Sequence, residues 1–205
     1  MRNAKWLALL GLGLVPFSVS AAAANDTGWY LGGKAGLAWG DAVSYRADIY
    51  RSDDTEHLGM YGGYHFTPWL GVESSWLVTS NMNNSYDYYE SAHYYAFSLT
   101  PKVSLRVSPI FSLYGKIGIA WLGYGEDFID DDYYDDPEDR SWSDLVGTIG
   151  VGGQFDITDG VKLRIGYEYF DGTLDSDESS RYWRRQDGSI DVQLDTAYIG
   201  VHYQF

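Results

Sequence analysis

From residue 28 onward the chain alternates in twos between apolar residues and polar or small ones. Trp29, Leu31, Gly33, Ala35, Leu37 and Trp39 share one parity, and Tyr30, Gly32, Lys34, Gly36 and Ala38 the other. Successive side chains of a strand point to opposite faces, so this pattern predicts a strand with one apolar face. The period returns seven more times. Leu58, Met60, Gly62, Tyr64 and Phe66 alternate with His57, Gly59, Tyr61, Gly63 and His65, and Leu70, Val72, Ser74, Trp76 and Val78 with Gly71, Glu73, Ser75 and Leu77. Odd positions over 95–105, 111–121, 145–155 and 161–169 are mostly apolar, against Lys102, Lys116, Gln154, Arg164 and Glu168 on the even side. The last ten residues set Ala197, Ile199, Val201, Tyr203 and Phe205 against Thr196, Tyr198, Gly200, His202 and Gln204.

What joins these eight runs alternates too. Thr67-Pro68-Trp69, Val107-Ser108-Pro109 and Ile157-Thr158-Asp159-Gly160 are short turn signals, since proline fixes φ and stops a ladder. Residues 41–56, 79–93, 124–143 and 171–191 are long polar connections. In a soluble sheet the apolar face turns inward, and a strand ending on an exposed aromatic carboxy-terminus is unusual. In a membrane barrel the apolar face meets lipid and the polar face a filled lumen. Each run has the length of about 9–11 residues that a tilted strand needs to cross a bilayer. The expected fold is therefore all-β: an eight-stranded antiparallel transmembrane up-and-down β-barrel, with three short periplasmic turns and four long extracellular loops.

The amino-terminus fits an exported protein. Arg2 and Lys5 precede an apolar run over 6–17 and a small-residue stretch over 18–24, which reads as a cleaved signal peptide over 1–24. Residues 25–205 are then the outer-membrane β-barrel domain. The apolar run is shorter than the ~20 residues a helical span needs, and Pro16 interrupts it. The chain contains no cysteine, so disulfide and thiolate chemistry are excluded. Its 24 glycines, 19 tyrosines and 8 tryptophans suit small lumen residues and aromatic girdles. The formal charge of −15 becomes about −17 once Arg2 and Lys5 leave with the leader, which argues against a nucleic-acid partner.

Four segments carry a family likeness. Gly28-Trp29-Tyr30-Leu31-Gly32-Gly33-Lys34, Gly62-Gly63-Tyr64, Val72-Glu73 and Gly200-Val201-His202-Tyr203-Gln204-Phe205 resemble the transmembrane domain of the OmpA family. The likeness spans all eight strands while the loops diverge. It implies residence in the bacterial outer membrane, without the periplasmic peptidoglycan-binding domain of longer members. It implies that Tyr203 and Phe205 form the assembly signal for the barrel-assembly machinery. It also implies that Glu73 pairs with Arg164 in the lumen. The family's alternative pairing uses a lysine matching Lys102 and a second carboxylate, where this sequence has Gln154.

Eight strands enclose a space that side chains just fill, so the inner polar residues read as a packed ionic core rather than an open channel. Its members are Lys34, Glu73, Lys102, Lys116, Gln154, Arg164 and Glu168. A hydrolase needs a nucleophile with a base in reach. His65 and His202 fall on the inner face near the short turns and His57 and His93 near the outer rim; none stands two residues before a serine. No catalytic residue, metal site or cofactor is therefore expected.

Specificity falls to the loops. Glu126, Asp127, Asp130, Asp131, Asp132, Asp135, Asp136, Glu138, Asp139 and Asp144 are offset by Arg140 alone. They read as a solvated acidic loop, with a weak divalent-cation site or a basic partner as alternatives. Arg181, Trp183, Arg184 and Arg185 suit either lipopolysaccharide phosphates or the acidic loop next door. Tyr86, Tyr88, Tyr89, Tyr94 and Tyr95 give the second loop an aromatic surface for a host or cell-surface partner, or extend the interfacial belt. The expected function is a non-enzymatic outer-membrane barrel with an envelope-structural or surface-interaction role. An adhesin or colonisation factor and a narrow low-conductance channel are the alternatives.

Overall fold

The computed structural model describes residues 27–44, 47–51, 55–80, 91–127, 140–176 and 189–205. The expected leader lies outside them. So do Tyr86, Tyr88 and Tyr89, the acidic residues from Asp130 to Asp139, and Arg181, Trp183, Arg184 and Arg185.

Among the described residues nine strands form one sheet: β1 Gly28–Ser44, β2 Ala47–Arg51, β3 Thr55–Thr67, β4 Leu70–Thr79, β5 Ser91–Ser108, β6 Phe111–Asp127, β7 Arg140–Asp156, β8 Val161–Ser176 and β9 Ile190–Gln204. All pairings are antiparallel between chain neighbours, except that β1 skips β2 to pair with β3. β9 returns to β1, in register from Tyr30 opposite Gln204 to Ser44 opposite Ile190, and closes an eight-stranded barrel. β2 pairs outside the closed ring, folding back on the end of β1. Closure leaves no open edge among the eight, the condition for a sheet to cross lipid.

The short turns come at 67–70, 108–111 and 156–161. Thr67 and Thr158 each accept a hydrogen bond on Oγ1 from the backbone N–H of the residue three further on, at 3.0 Å. The carbonyl of Gly160 accepts from Gln204 N–H, tying the third turn to the terminal strand. We call this the turn end and the opposite side the loop end.

Around the middle of the wall the outer face is apolar. Leu31, Leu58, Met60, Ile117, Ile149, Val151, Ile165 and Ile199 are exposed there, while Lys34, Glu73, Lys102, Lys116, Arg164 and Glu168 are buried inside. At the turn end aromatic rings pack edge to face around the outside: Trp29 on Tyr64, Tyr64 on Phe66, and Tyr203 on Phe205, with centroids 5.1–5.3 Å apart. Such a girdle marks a bilayer interface.

Several strands run further than the alternation predicted. β1 continues to Ser44, β2 and β3 occupy much of 47–56, and β6 reaches Asp127. β8 reaches Ser176 and β9 begins at Ile190, inside the expected fourth loop. The reason is a polarity inversion along the strands. In β9, Ile199, Val201 and Tyr203 face out, but nearer the loop end Ile190, Val192 and Leu194 face in, with Asp191 and Gln193 outside. β8 does the same, with Phe170 and Leu174 inside and Asp171, Thr173 and Asp175 outside. Beyond the bilayer the wall meets water, so the hydrophobic effect turns apolar residues inward while the backbone ladder continues.

Tyr94 requires a correction. Expected on the loop surface, it is 1% exposed inside the barrel, because its even parity on β5 points it into the lumen.

Candidate functional site

The lumen is filled in two layers. The one nearer the turns is ionic. β4 brings Glu73 inward, β8 brings Arg164 and Glu168, and β1, β5 and β6 bring Lys34, Lys102 and Lys116. Strict alternation puts all six on the inner face, and barrel stagger then decides which meet. Arg164 Nη1 donates to Glu73 Oε2 at 2.6 Å, and Lys116 Nζ to Glu73 Oε1 at 2.8 Å. Lys116 also donates to Glu168 Oε1 at 2.7 Å, and Lys34 donates to both oxygens of Glu168 at 2.9 and 3.0 Å. A continuous chain results: Lys34, Glu168, Lys116, Glu73, Arg164. Lys102 Nζ lies 3.9 Å from Glu73 Oε2, beyond hydrogen-bond reach. Gln154 is buried and sits opposite Arg164 in the β7–β8 register.

Four tyrosines complete this layer. Tyr30 donates its hydroxyl to Glu73 Oε2 at 2.8 Å, and the hydroxyls of Tyr114 and Tyr198 are 2.9 Å apart. The Arg164 guanidinium carbon lies 4.3 Å from the Tyr61 ring centroid and 4.7 Å from that of Tyr114, within range of a cation–π contact. Sequence reasoning did not include these tyrosines in the core. Their parity, which on each strand is that of the inward-facing residues, was the available signal. Inner-face glycines make the room. A Cβ on Gly152 would lie 2.3 Å from Tyr114 Oη, and one on Gly63 2.5 Å from Tyr30 Oη.

The layer nearer the loops is apolar. Ala38, Leu77, Tyr94, Ala96, Leu122, Tyr124, Val146, Phe170, Leu174, Val192 and Leu194 form one buried cluster across the interior. Leu122, Leu174, Val192 and Leu194 have no exposed surface. Tyr94 and Tyr124 pack against each other within it, centroids 4.9 Å apart and planes tilted by 43°. The lumen thus carries a hydrophobic plug above an ionic one.

A third group lines the turn-end rim. Asp156 pairs with Arg106 and, at 3.1 Å, with Lys162. His65 and His202 are buried just inside, the His65 ring 4.7 Å and the His202 ring 5.2 Å from that of Tyr30. Tyr61 Oη and His202 Nδ1 are 3.1 Å apart. His57 is buried on β3 nearer the loop end. Among the described residues no group of three or more His, Asp or Glu stands close enough to hold a metal ion.

The remaining expected site residues are dispersed. Phe205, 73% exposed, donates its backbone N–H to Trp29 O at 2.9 Å, and Tyr203 stands opposite Leu31 on β1. Glu126 and Asp127 end β6, with Glu126 opposite Arg140.

Comparison with known proteins agrees with this architecture. Residues 7–205 match the family described as "Outer membrane protein beta-barrel domain". Outer membrane protein A of Klebsiella aerogenes is 24% identical over 204 residues, covering 92% of this chain and 51% of that protein. The chain therefore spans about half the length of this relative. The crystal structure of Neisserial surface protein A superposes with a TM-score of 0.64 at 14% identity, over 87% of this chain and 98% of that one. Ail, the attachment invasion locus protein of Yersinia pestis, gives 0.52 at 18% identity, over 87% and 99%. At these identities the likeness speaks for the fold.

Proposed function

The chain belongs to the outer membrane protein beta-barrel domain family and resides in the bacterial outer membrane, and from that premise we propose that it is a closed, non-enzymatic scaffold presenting surface loops. The observation that carries this reading is the doubly plugged lumen. The apolar cluster leaves Leu122, Leu174, Val192 and Leu194 no accessible surface, and the layer beneath is a chain of short ion pairs. Such an interior serves stability rather than passage. It leaves the wall to lipid and the loop end to whatever meets the cell.

The histidines support a role without catalysis. His57, His65 and His202 are buried in the barrel interior, and His202 meets a tyrosine hydroxyl. A general base has to reach a substrate proton, and these rings are 1–5% exposed.

On the same reading the partners are outer-membrane lipid along the wall and lipopolysaccharide at the loop end, with Arg181, Trp183, Arg184 and Arg185 as the phosphate contacts. The barrel-assembly machinery would read Tyr203 and Phe205 during biogenesis. Ail is by its name an attachment protein, and its barrel has the same plan. Attachment by this chain would depend on its own loops, because a likeness at 18% identity speaks for the fold alone.

The test exchanges loops. A barrel carrying the native segments 81–90, 128–139 and 177–188 should bind cells or lipopolysaccharide-coated surfaces, and a barrel with Gly/Ser replacements should lose that binding while folding equally well. Equal binding by both would end the loop-presentation reading.

A further inference from the structure

The ionic layer is unbalanced. Lys34, Lys102, Lys116 and Arg164 are all buried, and among the described residues only the carboxylates of Glu73 and Glu168 stand with them. Lys34 and Lys116 use Glu168 fully, and Lys116 and Arg164 share Glu73. Lys102 is left with a carboxylate oxygen at 3.9 Å and no hydrogen bond on Nζ. Arg164 spends Nη1 on Glu73, while its Nε and Nη2 have no hydrogen-bond partner among the described residues. Neither residue has any exposed surface. The missing negative charge has an address: opposite Arg164 in the β7–β8 register stands the neutral Gln154.

These donors converge. Lys102 Nζ and the Arg164 guanidinium lie over the same two rings, Tyr30 at 4.9 and 5.7 Å and Tyr114 at 5.1 and 4.7 Å. The His65 and His202 rings pack against Tyr30 as well, and both nitrogens of His65 and Nε2 of His202 are without a hydrogen bond. When Tyr61 donates to Nδ1 of His202, that ring's proton sits on Nε2, making it one more donor. Tyrosine faces offset part of the cost of burying an ammonium and a guanidinium, but a buried charge without a counter-charge remains strongly unfavourable.

We infer that the turn-side half of the lumen binds a small monovalent anion, of chloride size, between Lys102 Nζ and the unbonded edge of the Arg164 guanidinium, with His65 and His202 as flanking donors. The size follows from the architecture, since the side chains of an eight-stranded lumen leave room for at most one small ligand. Entry is from the turn end, because the apolar cluster blocks the other side. The ion supplies the charge that a carboxylate at position 154 would otherwise supply.

The test is anion-specific stability of the full chain refolded into neutral-lipid vesicles. Unfolding in urea is followed in sodium chloride and in sodium gluconate at equal ionic strength. Chloride at ten times its dissociation constant should lower the unfolded-to-folded ratio about tenfold relative to gluconate. Lys102→Met and Gln154→Glu should each abolish that difference, the first by removing the uncompensated cation and the second by supplying a fixed carboxylate. Crystals soaked in bromide should show an anomalous peak beside Lys102 Nζ. Equal stability in the two salts, or a chloride response retained in both variants, would overturn the site. So would bromide crystals with no peak there. Should Lys102→Met fail to fold, Gln154→Glu and the bromide map still decide.

Discussion

Glu73 is the residue on which the ionic layer turns, and Glu73→Gln measures it. The carboxylate accepts from Arg164 at 2.6 Å, Lys116 at 2.8 Å and Tyr30 at 2.8 Å, with Lys102 at 3.9 Å. Glu168 accepts only from Lys34 and Lys116 among the described side chains. Neutralising Glu73 leaves Arg164 and Lys102 with no carboxylate within 4 Å among the described residues, whereas Lys116 keeps Glu168. Neutralising Glu168 strands Lys34 alone, since Lys116 then keeps Glu73. Breaking a buried pair by removing one partner costs about 3–5 kcal/mol, because the other charge stays uncompensated. The amide oxygen introduced by Glu73→Gln can still accept one hydrogen bond and recovers about 1 kcal/mol. The expected loss is therefore about 2–4 kcal/mol for Glu168→Gln, which strands one cation, and a larger loss for Glu73→Gln, which strands two. Gln154 faces Arg164 across the β7–β8 pair, so Gln154→Glu should return about 1–2 kcal/mol when combined with Glu73→Gln. Urea unfolding in vesicles, run as a double-mutant cycle at fixed salt, reads each contribution. Additive effects, or a larger loss from Glu168→Gln, would refute the proposed sharing of charge.

Other perturbations probe the wall, the lumen fit and the closing strand. Ile149 is 46% exposed on the outer face between Ile117 and Tyr169, so Ile149→Arg should cost about 2–4 kcal/mol of folding free energy in liposomes; an unchanged value would mean that the face is reversed. Gly152→Val places a Cβ 2.3 Å from Tyr114 Oη and 2.4 Å from Ile165 O, and should destabilise by about 2–3 kcal/mol. In Gly115→Ala the new Cβ comes no nearer than 4.0 Å to any atom beyond its chain neighbours, and the change should be close to neutral; similar losses from the two would discredit the packing argument. Deleting Phe205 removes the contact with Trp29 O and should lower the amount of barrel reaching the outer membrane, whereas deleting one residue within 81–90 should not. Equal accumulation of both would count against the terminal strand as an assembly signal.

Much of the fold could be read from period two alone. The parity that places Trp29 and Leu31 against lipid also places Lys34 inside, and one lipid-compatible face per strand leaves no freedom in that choice. Parity does not say how far each strand is staggered against the next. That Lys116 bridges two carboxylates, and that Lys102 stops at 3.9 Å from Glu73, follows from stagger and side-chain length together. The apolar plug escaped for a different reason. Leu174, Ile190, Val192 and Leu194 lie in stretches whose outer faces carry Asp175, Asp191 and Gln193. Sought as a lipid-facing pattern, those stretches look like loops; read with the opposite sign, they alternate just as regularly. Tyr94 was misplaced with them, being aromatic in a tyrosine-rich segment yet of inner parity.

Whether the lumen is closed can be measured by electrical recording across planar bilayers containing the purified full chain. Two stacked plugs, the apolar cluster from Leu77 to Leu194 and the ion-pair chain from Lys34 to Arg164, predict a membrane that stays at baseline conductance in molar salt at moderate voltage. Sustained, resolvable single-channel steps would contradict the closed-scaffold account and show that both layers open together.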